Sequence, residues 1–140
     1  GLVGSEMCIR DSNGIPASNG YANFSGTVHA LYDVSANGYI LFSSTDTSIA
    51  AGTTQLDATP INCAITIVST TPSSTGVRLP AATTGARLIV RNNGGNTLYV
   101  YPESGDNINS VGTNLPYSLP VATGIEFYCA NASAHQWYTL

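Results

Sequence analysis

The side chains with chemistry to offer are Cys8, Cys63 and Cys129, His29 and His135, and a scatter of serines and carboxylates. A zinc site needs three or four Cys, His or acidic ligands at characteristic spacing. No Cys-x-x-Cys occurs, and the two histidines do not supply the missing ligands. Cys63 and Cys129 fall at apolar positions of strand-like runs. That predicts two buried thiols behaving as small hydrophobes, with a disulfide between them as the alternative. Serine nucleophile chemistry has no Gly-x-Ser-x-Gly to support it, and nothing in the sequence orients either histidine. Asp46, Asp57, Glu103, Asp106 and Glu126 could furnish the paired carboxylates of a glycosidase. Nothing brings two of them together, and loop acids are usually solvated. Ser104-Gly105-Asp106-Asn107 could hold calcium or cap a turn. Without the alternating acids of a calcium loop, turn capping is expected. Asn23-Phe24-Ser25 and Asn131-Ala132-Ser133 match glycosylation sequons, which a chain so rich in Ser and Asn produces by chance. We expect no enzyme, no metal and no cofactor.

The aromatic residues are more informative. Eight Tyr and one Trp stand against three Phe. Tyr and Trp carry an apolar ring with a polar handle, which suits protein contacts and sugar stacking. Tyr99, Tyr101, Tyr117, Trp137 and Tyr138 all fall in strand-like runs. Outer-face packing inside an assembly is the expectation, and saccharide recognition is the alternative.

The charge balance removes other classes. Only 9% of the 140 residues are charged, against about 25% in ordinary soluble domains. Lysine is absent, and the basic residues are Arg10, Arg78, Arg87 and Arg91. Four arginines in a chain of net charge −4 cannot neutralise a phosphate backbone, so no nucleic-acid partner is expected. Nothing approaches the run of about 20 apolar residues that crosses a bilayer, so no membrane partner is expected either.

Gly, Ser, Thr and Asn dominate the remainder, a composition of strands joined by tight turns rather than of long helices. Alternating aromatic and β-branched runs place a hairpin at 27–44, closed by Asn37-Gly38, after a turn-rich arm or linker at 13–26. Residues 45–52 read as a loop. Strands are predicted at 53–59, 62–70, 76–79, 85–91, 97–102, 115–119, 123–130 and 135–140. Short strands at this spacing predict an all-β fold, an antiparallel sandwich or jelly roll over 53–140, within a single β domain spanning 27–140. Within 86–91, Ala86, Leu88 and Val90 share one face and Arg87, Ile89 and Arg91 the other. Leu98 and Val100 alternate with Tyr99 and Tyr101 in the next run. Pairing the two runs through Asn92-Asn93-Gly94-Gly95-Asn96 as a hairpin would gather Arg87, Arg91, Tyr99 and Tyr101 on one face, where cation and ring stack. The runs at 123–130 and 135–140 form a second hairpin.

Two resemblances add to this reading. Residues 6–12, Glu-Met-Cys-Ile-Arg-Asp-Ser, back-translate as GAG ATG TGT ATA AGA GAC AGC. That string resembles the transposon end of sequencing-library adapters, and residues 2–5 resemble the bases before it. Residues 1–12 are therefore expected to be adapter-derived, with the native N-terminus missing.

The second resemblance lies in Leu79-Pro80-Ala81-Ala82, the run from Gly85 to Arg91, Asn92-Asn93-Gly94, Val100-Tyr101-Pro102 and Gly105-Asp106-Asn107-Ile108-Asn109. This order is similar to a module of tailed-phage virion proteins. Gly52-Thr53-Thr54-Gln55 and the closing Phe127-Tyr128-Cys129-Ala130 and Gln136-Trp137-Tyr138 extend it over 52–140. The resemblance implies a structural protein of the virion, a capsid decoration or fibre component with no catalytic residues. Its implied partners are other virion proteins and further copies of itself, with a host-surface glycan as the alternative partner of a fibre tip. Self-association also follows from the residues. Sheet edges and faces are normally guarded by lysine or other charges; here lysine is absent and tyrosine abundant. Arg87, Arg91, Tyr99, Tyr101, Trp137 and Tyr138 are the expected contact residues of a homo-oligomer, and the resemblance favours a homotrimer.

Overall fold

The computed structural model describes residues 41–140. The adapter-like 1–12, the arm 13–26 and all but the last residues of the hairpin 27–44 lie outside the described residues. The described chain is almost wholly β. Its strands are β1 Ser44–Ile49, β2 Thr59–Pro60, β3 Ile65–Thr70, β4 Gly76–Arg78, β5 Arg87–Asn92, β6 Leu98–Tyr101, β7 Asn107–Ile108, β8 Tyr117–Leu119, β9 Gly124–Tyr128 and β10 Gln136–Thr139. One 3-10 turn, Ala132–Ala134, precedes β10.

These strands form two sheets, ordered β1-β3-β5-β9-β10-β7 and β2-β4-β6-β8. Through β6 the chain alternates between them, odd strands in one and even strands in the other. Each strand therefore returns beside its predecessor-but-one running the same way. β1, β3 and β5 are parallel, with Ser44, Ile65 and Ile89 in register. β2, β4 and β6 are parallel, with Thr59, Val77 and Val100 in register. Only later does the chain reverse: β8 runs antiparallel to β6, and β9 antiparallel to both β5 and β10.

The antiparallel expectation is thus corrected to mixed sheets. The predicted 85–91/97–102 hairpin does not form, because β5 and β6 lie in different sheets. Asn92 supplies the reason. Its side chain is fully buried, accepts from Gly94 N and Thr71 Oγ1, and donates to the carbonyls of Asn96 and Leu119. Polar groups that a hairpin ladder would have satisfied are satisfied instead by this one amide, and the chain turns the corner into the other sheet. The β9–β10 hairpin forms as expected.

Two boundary corrections follow the same logic. Residues 45–49, read as a loop, are strand β1. Residues 53–58, read as strand, are a turn: Asp57 Oδ1 accepts from Thr54 N at 2.8 Å and from Thr54 Oγ1 at 2.6 Å, and Ala58 N donates to Thr54 O. Local side-chain bonds here compete successfully with a ladder.

One core draws on both sheets. Val68, Val90, Phe127 and Trp137 come from the six-stranded sheet; Val77, Leu79, Leu98, Val100 and Leu119 come from the four-stranded one. The Tyr117 and Phe127 rings meet edge to face across the gap, 5.8 Å apart at 89°. The predicted alternation decides which side chains enter. Leu88 and Val90 face inward from β5, leaving Arg87, Ile89 and Arg91 outward. Leu98 and Val100 face inward from β6, leaving Tyr99 and Tyr101 outward.

Candidate functional site

The outer face of the six-stranded sheet is built by β3, β5, β9 and β10. Cross-strand register sets Ile65 beside Ile89, Ile89 beside Glu126, Arg87 beside Tyr128 and Tyr128 beside Tyr138. Tyr128 and Tyr138 stack, with centroids 5.5 Å apart. Phe42, Ile89, Tyr138 and Leu140 are all exposed, Phe42 to 63% and Leu140 to 73%. A 230 Å3 cup opens on this face, lined by Phe42, Ala64, Ile65, Ile89, Arg87 and Glu126. The Arg87 guanidinium hydrogen-bonds Glu126 at its rim, and that bond, together with the carboxylate's charge, raises the Arg87 pKa above its ordinary value. Arg91, four residues along the strand, donates to Asn93 Oδ1 and meets no carboxylate among the described residues. The cup is therefore apolar at its base, with the paired Arg87 and Glu126 at its rim.

The outer face of the four-stranded sheet carries Tyr99, Tyr101 and Arg78, all half-buried. The turn 53–58 lies over it. Tyr101 donates its hydroxyl to Thr53 O, and Arg78 donates to the carbonyls of Gln55 and Leu56 while pairing with Glu103 at 3.4 Å. Burial, and then the nearby Asp57 charge, push the Tyr101 phenol above its ordinary value. Hydrogen bonds from Thr54 hold Asp57 below its ordinary value. Leu56 projects from the same turn with 80% of its surface exposed.

The expected cluster of Arg87, Arg91, Tyr99 and Tyr101 is therefore divided between two outer faces. Cation and ring do not stack there, because β5 and β6 belong to different sheets. Trp137 is fully buried in the core and offers no surface for a contact. Tyr138 remains at the surface, as expected. The residues that sequence reasoning left out are Phe42 and Ile65 at the cup and Leu56 on the turn; Glu126 and Asp57 were considered only as carboxylates of a glycosidase pair, and the structure places them on different sheets' outer faces. Alternation within 86–91 already put Ile89 on the outward face with Arg87 and Arg91.

One titratable pair also departs from expectation. Asp106 is a loop acid, yet it is 3% exposed. Its Oδ2 accepts from Ala82 N and its Oδ1 meets His135 Nδ1 at 2.9 Å. His135 is therefore oriented by a carboxylate, with its ring largely exposed. Among the described residues no hydroxyl or thiol hydrogen-bonds the other ring nitrogen, and no three His, Cys, Asp or Glu side chains gather as metal ligands. The pair clamps the 81–82 segment to the turn before β10, and the turn expected at Gly105-Asp106 is present: Asp106 N donates to Glu103 O. Cys63 and Cys129 are both free thiols, Cys129 buried and Cys63 partly exposed, so the disulfide alternative does not hold.

Comparison with protein-family models, curated proteins and solved structures gave no match.

Proposed function

We propose that this chain is a non-enzymatic structural component of a bacteriophage virion, a capsid decoration or fibre protein that acts through contacts between its own β-sheet faces. In this reading the described domain is a two-sheet sandwich and the assembled form is a homotrimer in contact with other virion proteins. One observation carries the proposal: the outer face of the six-stranded sheet leaves Phe42, Ile89, Tyr138 and Leu140 exposed in a chain without lysine. Contiguous apolar surface on a soluble protein marks an interaction face. The virion assignment comes from the resemblance over 52–140. The alternative, a glycan-binding fibre tip, is weakened by the burial of Trp137, the largest stacking surface in the chain.

Light scattering on the full chain at micromolar concentration tests the assembly reading. A three-chain mass is expected, and a one-chain mass overturns it. Immunogold labelling of intact phage particles, with antibody raised against the chain, tests the virion assignment. Label on particles supports it, and label confined to soluble protein overturns it.

A further inference from the structure

Two features on opposite sheets complement each other. On the six-stranded sheet, Phe42, Ile65 and Ile89 line an apolar cup whose rim holds the paired Arg87 and Glu126, and Arg91 is the next outward residue after Ile89 on β5. Ile89 and Arg91 are two positions apart on one strand face, which sets their Cα atoms about 7 Å apart. Over the four-stranded sheet, the exposed Leu56 lies beside the exposed Asp57. Asp57 Oδ1 is engaged by Thr54, and no cation reaches this carboxylate among the described residues. An apolar knob next to an anion thus complements an apolar cup with a cation, Arg91, further along the same strand face.

A single chain cannot make this match. The bonds from Tyr101 to Thr53 and from Arg78 to Gln55 hold the knob over one sheet, whereas the cup opens on the outer face of the other. A two-fold contact through the cup face alone would leave the knob, which lies over the other sheet, unused. Only a head-to-tail contact joins the unlike halves.

We infer that Leu56 of one copy seats in the Phe42–Ile65–Ile89 cup of the next copy, with Asp57 against Arg91. The inference rests on the self-assembly reading above and specifies its contact. A head-to-tail contact uses two different patches of each chain, so it repeats and closes when the rotation between copies allows. A closed ring of three copies satisfies every knob and every cup.

The test uses the full chain and two variants, Leu56→Asp on the knob and Ile89→Asp on the cup, with mass read by light scattering. Leu56 is 80% exposed and Ile89 42%, so both positions accept a polar side chain without opening the core. Each variant alone is expected at the one-chain mass of 14.5 kDa. Mixed in equal amounts, they are expected to give a two-chain species, because the intact cup of one meets the intact knob of the other. If Ile89→Asp loses its β-sheet signal by circular dichroism, Arg91→Asp takes its place as the cup variant. Retention of the wild-type mass by either variant, or a mixture that stays at one chain, overturns the head-to-tail contact and leaves the self-assembly reading standing. A one-chain mass for the unaltered protein overturns both.

Discussion

The Thr71 hydroxyl donates to Asn92 Oδ1 at 2.9 Å between two side chains that are 3% and 0% exposed. This bond joins the turn after β3 to the end of β5. Asn92 Nδ2 carries the connection onward to Leu119 O at the end of β8. One buried amide thus ties both sheets together. Buried polar groups of this kind are costly to leave half-satisfied.

Asn92→Ala is expected to destabilise the fold by about 3 kcal/mol, because it strands the Asn96 and Leu119 carbonyls and the Thr71 hydroxyl at once. Thr71→Val removes a single donor and should cost about 1 kcal/mol. Urea denaturation of the two variants checks the ordering. Equal losses would show that Asn92 contributes no more than its bond to Thr71.

Gly94 and Gly95 are adjacent and should behave oppositely. A Cβ at Gly94 would lie 2.3 Å from Thr71 Oγ1 and 2.4 Å from Thr71 N, while a Cβ at Gly95 meets nothing within 4 Å. Gly94→Ala is expected to cost about 2 kcal/mol through forced displacement of the corner. Gly95→Ala should be neutral within about 0.5 kcal/mol. Thermal midpoints of the two variants, measured side by side, decide it.

Trp137 is fully buried and its indole Nε1 has no hydrogen-bond partner. Trp137→Ala is expected to cost about 3–5 kcal/mol by opening a cavity. Trp137→Phe should cost markedly less than that, since it keeps most of the ring volume and removes a buried donor that is already unsatisfied. Chemical denaturation of the pair reads the difference directly, and a Phe variant as unstable as the Ala variant would contradict the assignment.

Asp57 sets an acid limb. Its hydrogen bonds from Thr54 lower its pKa from the ordinary 3.8. A carboxyl whose native pKa is depressed contributes stability above its unfolded value and loses that stability as pH falls through the native value. The gap in thermal midpoint between the unaltered chain and Asp57→Asn should therefore be present at neutral pH and shrink below about pH 4. A pH-independent gap would show that the carboxylate charge plays no part in the 53–58 turn.

Much of the fold was legible from local pattern. Strand positions 76–78, 87–91, 98–101, 117–119, 124–128 and 136–139 all fall within predicted runs. The inward set Leu88, Val90, Leu98 and Val100 followed from alternation alone, because side chains on a strand have a period of two whatever the strand pairs with. The β9–β10 hairpin also matched its two alternating runs, although its connection, 129–135, is longer than the 93–97 connection of β5 and β6, which do not pair.

Composition, alternation and turn residues therefore determined, from the sequence alone, that the described residues are nearly all β, where most of their strands lie and which faces they bury. Only the tertiary structure decided which strands are neighbours. Parallel pairing of β3 with β5 joins residues separated by an excursion through the other sheet, and no local signal encodes it. Asn92 reads as a hairpin residue until its burial between both sheets turns the chain across the core. The same decision split Arg87 and Arg91 from Tyr99 and Tyr101, drew Trp137 into the interior and placed the Leu56–Asp57 knob over the sheet opposite the Ile89 cup. Facing is a property of a strand by itself, whereas neighbourhood is settled by long-range packing of one side chain against another.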